Sequence, residues 1–97
     1  MEITKKTDGA KMTIAVTGRV DTVTAPELEA ALALTGVEDL TIDLAGVPYM
    51  SSAGLRCLLT AQKTMMAQGG SMVVAGPQDA VREILDITGF SGILTIV

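Results

Sequence analysis

The sequence predicts a single α/β domain, in which a mixed, mostly parallel sheet begins with an N-terminal β-hairpin and has helices packed on it. Three observations support this fold class. The chain has 97 residues, 48% of them apolar, which suffices for one hydrophobic core and leaves no length for a second domain. Segments with strand and helix periodicity follow one another in the order ββαβαβαβ. Each predicted helix also has a start and a stop signal. We therefore expect residues 1–97 to form one domain.

The first two strands are predicted to form the hairpin. Residues 3–6 and 12–17 alternate, or nearly alternate, apolar and polar side chains on either side of Asp8-Gly9. This dipeptide between two such runs is a strong signal for a tight turn, so we expect antiparallel pairing. A polar loop that contains Asp21 then leads to the first helix.

The first helix is predicted to begin at Thr24. Thr24 and Glu27 have the spacing of a capping box, and Pro26 falls in the first turn, where its missing N–H costs nothing. Gly36 is expected to end the helix. The residues predicted for its inner face share helical spacing: Leu28, Ala31, Leu32 and Thr35.

The rest of the chain alternates strands with helices. Strands are predicted at residues 40–44, 72–75 and 93–97, and helices at residues 55–68 and 78–88. Gly69-Gly70 and Gly89 end these two helices. The apolar residues of the longer helix recur three and four apart: Leu55, Leu58, Leu59, Met65 and Met66. Such alternation predicts right-handed crossovers between parallel strands.

Composition and charge exclude several classes of function. Seven Lys and Arg against eleven Asp and Glu give a net charge of −4, and no basic run is present, so we do not expect nucleic-acid binding. No window approaches the roughly 20 consecutive apolar residues of a spanning helix, and the N-terminus lacks the apolar core of a signal peptide. We expect a cytoplasmic protein without a membrane partner. The single cysteine, Cys57, cannot form an internal disulfide and is predicted to be a small packing residue.

Two serines, Ser51 and Ser52, occupy the junction between the strand at 40–44 and the following helix. A serine before a helix usually caps it, because its oxygen accepts a hydrogen bond from an unpaired backbone N–H. A helix start after a parallel strand is also where open α/β sheets place ligands and phosphate groups. Spacing alone favours capping and leaves both interpretations open.

Catalysis is not predicted. A serine at a strand-to-helix turn suggests the nucleophile elbow of hydrolases, but that motif needs a histidine base and the chain has no histidine. Metal catalysis lacks support as well, since the chain has one cysteine and no clustered carboxylates. No residue pattern implies a cofactor.

Two motifs together resemble the STAS domain in its bacterial form, the anti-sigma factor antagonists. The first is Gly18-Arg19-Val20-Asp21 at a strand end, and the second is Tyr49-Met50-Ser51-Ser52-Ala53-Gly54-Leu55. The resemblance covers essentially the whole chain and implies that Asp21 is the family's loop aspartate and Ser52 its phosphoacceptor. Two positions depart from the family pattern: Ser51 replaces the acidic residue that commonly precedes the acceptor, and Ala53 replaces a second hydroxyl.

This resemblance implies a switch between partners. The unphosphorylated form would bind an anti-sigma factor serine kinase and free the sigma factor, phosphorylation of Ser52 would release the kinase, and a phosphatase would reverse the modification. Ser51 is the alternative acceptor. The implied partner-binding residues are Asp21, Ser51, Ser52, Gly54, Leu55 and Arg56. Arg56 lies four residues beyond Ser52, on the same side of the helix, and is expected to extend into solvent. A second possibility is an interaction module that binds a nucleotide or another ligand and is not phosphorylated.

Overall fold

The computed structural model describes residues 1–97 and contains five strands and three α-helices. The strands are β1 (Glu2–Asp8), β2 (Lys11–Thr17), β3 (Asp39–Gly46), β4 (Ser71–Ala75) and β5 (Thr95–Ile96). The helices are α1 (Ala25–Ala31), α2 (Ser52–Ala67) and α3 (Asp79–Ile87), and a short 3₁₀ turn spans Phe90–Gly92. None of the helices combines the length and the apolar character that crossing a membrane requires.

The five strands form one mixed sheet in the order β1-β2-β3-β4-β5. β1 and β2 are antiparallel, with Asp8 opposite Lys11 across the predicted turn, and every later pair is parallel. This confirms the predicted α/β fold with its N-terminal hairpin. Because the connections advance in one direction across the sheet, right-handed crossovers place α1, α2 and α3 on the same face.

Burial along the strands agrees with this one-sided arrangement. In β3, Leu40, Ile42 and Leu44 are at most 2% exposed, whereas Thr41 and Asp43 between them are only partly buried. The helices therefore cover one face of the pleated sheet and leave the other to solvent. The core is a single cluster of 22 buried apolar residues, and no polar or charged residue is buried. Cys57 belongs to this cluster, as predicted.

The first helix is shorter than predicted and has a different cap. It ends at Ala31 rather than near Gly36, and the irregular segment that follows buries Leu34 and Val37 while Thr35 is exposed. The predicted inner position of Thr35 is therefore wrong. Thr24 makes no side-chain cap on the helix, so the predicted capping box between Thr24 and Glu27 is also wrong.

The later elements depart from prediction at their ends. α2 begins at Ser52, three residues earlier than predicted, and Met66 is 66% exposed although Met65 is fully buried. The last strand is only two residues long. The N–H groups of Ile93 and Leu94 both bond to the carbonyl oxygen of Phe90, which holds the first part of the predicted strand in the 3₁₀ turn.

Candidate functional site

The two sequence motifs meet at the edge of the sheet where β2 and β3 end. Val20 and Met50 form an isolated parallel bridge, in which the Val20 N–H donates to the Tyr49 carbonyl oxygen at 3.0 Å. The Ser51 N–H donates in turn to the Val20 carbonyl oxygen at 2.8 Å. Because Asp21 follows Val20 and Ser51 follows Met50, the bridge brings the loop aspartate beside the serine loop.

Gly54 is the point where α2 packs against this bridge. It is buried, and a Cβ at this position would lie 2.7 Å from both Met50 Cγ and Val20 Cγ1. No side chain fits that space without displacing both neighbours. Leu55 is also buried, at 4% exposure. Both residues therefore position the helix start, and neither presents a side chain to a partner.

Asp21 forms the capping box that begins the first helical turn. Its Oδ1 accepts hydrogen bonds from the N–H groups of Val23 at 2.9 Å and Thr24 at 3.1 Å. The Asp21 N–H donates back to Thr24 Oγ1 at 2.9 Å, which completes the reciprocal pattern. The Ala25 N–H then bonds to the Asp21 carbonyl oxygen at 2.8 Å. The box thus lies one turn before the position that the sequence pattern suggested.

The charge of Asp21 is stabilised where it lies. The N–H of Thr24 contributes most to holding the pKa of Asp21 below its ordinary value of 3.8, partial burial opposes this effect, and the N–H of Val23 lowers the pKa further. Arg19 contributes less, with its Nε 3.5 Å from Asp21 Oδ2. The same guanidinium lies over the ring of Tyr49, 4.2 Å from the centroid, so Arg19 connects the two loops.

The two serines have different surroundings. Ser51 occupies the N-cap position with extended backbone (φ −83°, ψ 175°), but its side chain makes no cap hydrogen bond. Its Oγ is enclosed and has no hydrogen-bond partner. Ser52 is the first residue of α2 and is exposed. The capping interpretation of these serines is therefore wrong, since neither hydroxyl caps the helix.

The start of α2 retains unpaired backbone donors. Its first bond within the helix joins the Leu55 N–H to the Ser51 carbonyl oxygen at 3.0 Å. The N–H groups of Ser52, Ala53 and Gly54 have no hydrogen-bond partner in the chain, as expected for the first turn of an uncapped helix. Arg56, one turn further on, is exposed and forms no ion pair, since the chain's one ion pair joins Arg19 and Asp21. No cluster of His, Cys, Asp and Glu side chains could hold a metal ion.

Three residues of this surface were not predicted as site residues from the sequence: Arg19, Val23 and Tyr49. Val23 is 86% exposed and Tyr49 is 37% exposed, and Arg19 is held between Asp21 and the Tyr49 ring. The two motifs contain Arg19 and Tyr49 at matching positions, each one residue before a residue of the bridge. Only the pairing of the loops shows that these side chains touch.

A family model for the STAS domain matches residues 2–97. The chain belongs to the STAS domain family. Its relatives include the anti-sigma-B factor antagonist of Listeria monocytogenes, which is 35% identical over 95 residues, or 95% of this chain and 83% of the relative. The anti-sigma-B factor antagonist of Staphylococcus epidermidis is 29% identical over 86 residues, covering 86% of this chain and 80% of that protein.

Solved structures of anti-sigma factor antagonists share this fold. The crystal structure of an anti-sigma factor antagonist from Mycobacterium paratuberculosis matches with a TM-score of 0.87 and 26% identity, over 98% of this chain and 83% of that one. The unphosphorylated form of the anti-sigma factor antagonist SpoIIAA matches with a TM-score of 0.84 and 16% identity, over 99% of this chain and 88% of that one. The phosphorylated form of SpoIIAA from Bacillus matches with a TM-score of 0.78 and 14% identity, over 99% of this chain and 91% of that one.

Replacing Gly54 by alanine should destabilise this STAS domain by about 1–3 kcal/mol, because the added methyl group overlaps Met50 and Val20. Gly92→Ala is the matched control, since a Cβ there meets no atom within 4 Å. Urea denaturation of both variants measures the difference. Equal free energies of unfolding would show that α2 does not press on the bridge.

The carboxylate of Asp21 should contribute stability that depends on pH. Its pKa is lowered in the folded chain, so the contribution is present above the ordinary value of 3.8 and is lost as the pH falls through the lowered pKa. Asp21→Asn keeps a cap oxygen but does not titrate, so wild type should lose stability relative to this variant in acid. An NMR titration of the Asp21 carboxyl carbon checks the cause, and a midpoint at or above 3.8 would contradict it.

Proposed function

We propose that this STAS domain is an anti-sigma factor antagonist that acts by partner switching. The unphosphorylated form binds an anti-sigma factor serine kinase and so frees a sigma factor, and phosphorylation of Ser52 ends that binding. The observation that carries the proposal is the contrast between the two serines: Ser52 is exposed at the first position of α2, whereas the Ser51 hydroxyl is enclosed. The names of its relatives in Listeria and Staphylococcus support the same role.

The start of α2 suits a phosphate on Ser52. The three unpaired N–H groups of residues 52–54 can donate to phosphate oxygens, and the helix dipole favours negative charge at this end. Arg56 is exposed one turn away and has no competing ion pair. These groups are in place before modification, so we expect phosphorylation to leave the backbone nearly unchanged.

The change in charge then explains the release of the partner. A phosphate adds about −1.5 to −2 charges at pH 7, and the chain already has a net charge of −4. The added group would lie at the centre of a surface that also contains Asp21, Tyr49 and Val23. Bulk and charge at the centre of an interface cost far more binding energy than at its rim. Phosphorylation therefore disrupts a fitted contact.

The remaining parts of the proposal follow from these partners. The kinase supplies the catalytic groups and a phosphatase reverses the modification, so this chain is a substrate and a ligand and not an enzyme. Its site of action is the cytoplasm, where sigma factors bind RNA polymerase. The chain itself contacts neither nucleic acid nor membrane. Within the partner surface, Asp21, Ser52 and Arg56 contribute side chains, and Ser51, Gly54 and Leu55 shape the loop that presents them.

Substitution of Ser52 should separate binding from modification. Ser52→Ala should bind the kinase about as well as wild type and accept no phosphate from ATP, because only the hydroxyl is lost. Ser52→Asp should bind weakly, because it places a negative charge at the helix start. Ser51→Ala is the matched control and should be phosphorylated normally, since the Ser51 Oγ is enclosed. Calorimetric titration and phosphate incorporation measure both properties.

Each other outcome of this experiment has a definite meaning. Phosphate on Ser52→Ala but not on Ser51→Ala would move the acceptor to Ser51. Equal affinity of wild type, Ser52→Ala and Ser52→Asp for the kinase would end the switch proposal. Stabilisation by a nucleotide without any phosphate transfer would support the alternative, an interaction module that is not phosphorylated.

Asp21→Asn should impair kinase binding or phosphorylation while the fold stays intact. Asparagine keeps the cap oxygen but loses the charge that holds Arg19 against the Tyr49 ring. Asp43→Asn is the control, because Asp43 Oδ1 accepts the Ala45 N–H at 2.9 Å in the same local pattern, on the open face of the sheet. If Asp21→Asn behaved like wild type and like this control, Asp21 would have a capping role only.

A further inference from the structure

A groove of about 430 Å³ runs between α1 and α2, on the helix-covered side of the sheet. Residues of both helices line it at helical spacing, and the lining includes Thr22 and Ala53, the sequence neighbours of Asp21 and Ser52. Its volume falls within the range of small-molecule sites, which is roughly 300–1,000 Å³. Ser52 does not line the groove, but Arg56 does, and Arg56 is also the cation proposed above to contact a phosphate on Ser52.

The lining of the groove combines a cation and an anion that do not pair with each other. Arg56 lies on the α2 side and Glu29 on the α1 side, and neither forms an ion pair in the chain. Thr22 and Thr60 also line the groove, and the hydroxyl of neither makes a hydrogen bond within the molecule. The groove therefore offers donors, acceptors and two opposite charges that the chain itself does not use.

Cys57 is a buried residue of the groove lining. Its thiol is buried and donates a weak hydrogen bond to the Ala25 carbonyl oxygen at 3.6 Å. Burial raises the pKa of Cys57, the carboxylate of Glu29 raises it further, and the guanidinium of Arg56 lowers it. Glu29, Arg56 and Cys57 all line the groove, Glu29 on α1 and the other two on α2.

The register of the two helices sets the separation of the charges. The bridge between Val20 and Met50 holds Asp21 and Ser51 at the same level, and both helices run away from that edge. Glu29 lies eight positions after Asp21, and Arg56 lies five positions after Ser51. At 1.5 Å per residue, Glu29 is therefore about 4–5 Å further along the helix axes than Arg56. Packed helix axes are about 8–10 Å apart, so a ligand must reach diagonally across the groove.

We propose that this groove binds a small zwitterion with an ammonium and a carboxylate at opposite ends, such as an ω-amino acid. The carboxylate pairs with Arg56, the ammonium pairs with Glu29, and the apolar chain lies over the floor formed by Ala25, Cys57 and Ala61. The site in the unphosphorylated chain does not rest on the proposed function, but a phosphate on Ser52 that paired with Arg56 would compete with the ligand.

The test is an NMR titration of the ¹⁵N-labelled full chain with 6-aminohexanoate, 4-aminobutyrate and glycine as probes. We expect saturable shifts at the amides of Ala53, Cys57 and Thr60, with tighter binding for the longer probes, which can reach both charges. Hexanoate and hexylamine each carry one charge and should bind about two- to fivefold more weakly than 6-aminohexanoate, as expected for loss of one exposed ion pair. Equal affinities of 6-aminohexanoate, hexanoate and hexylamine would overturn the proposal, and so would the absence of saturable shifts.

Charge variants make the test specific to the two walls. Arg56→Glu and Glu29→Arg should each weaken the binding of 6-aminohexanoate by more than the roughly two- to fivefold expected for loss of one ion pair, because each reversal also adds a repulsion. The double variant with both changes should restore binding, because the ligand can bind in the reverse direction. Arg82→Gln on α3 removes an exposed cation outside the groove and should leave binding unchanged. Circular dichroism verifies that each variant is folded. A double variant that is folded and does not bind, or loss of binding in Arg82→Gln, would overturn the assignment.

Discussion

The candidate site depends on the single bridge between Val20 and Met50. Two backbone hydrogen bonds hold these loops together after β2 and β3 have ended, and the absent side chain of Gly54 lets the first turn of α2 close over them. Val20 and Met50 are at most 1% exposed, so the bridge is also part of the core. The position of every exposed group around it therefore derives from buried packing, which resists small displacements.

The same constraint explains how neighbouring polar residues acquire different roles. Asp21 uses one carboxylate oxygen to begin α1 and the other to hold Arg19, so its charge serves both the fold and the surface. The two serines divide in a similar way, because the bridge fixes Ser51 through its N–H and turns its hydroxyl inward, whereas Ser52 falls on the outside of the first helical turn. An uncapped helix start costs some stability and keeps its N–H groups available for an anion.

The one-sided sheet also determines where the proposed partner and the proposed ligand would bind. Helices α1 and α2 follow adjacent parallel strands, so both begin at one edge of the sheet and run side by side from it. The proposed partner surface lies at that edge, and the groove with Arg56 and Glu29 extends away from it. This chain thus has its two proposed binding surfaces within one helix length of each other, although it has only one core.

The sequence alone determined the order of the elements, the hairpin, the buried faces of the strands and the family, because these depend on local periodicity, turn residues and short motifs. It also showed that Asp21 and Ser52 belong to paired motifs. Tertiary structure decided the rest. The capping box pairs Asp21 with Thr24, one turn before the predicted pairing of Thr24 with Glu27. It forms there because the Thr24 hydroxyl bonds back to Asp21 and to the Arg19 carbonyl oxygen. The difference between Ser51 and Ser52 was invisible in a run of two serines, since it arises from contact with a loop thirty residues away in sequence, as the bridge from Val20 to Met50 shows.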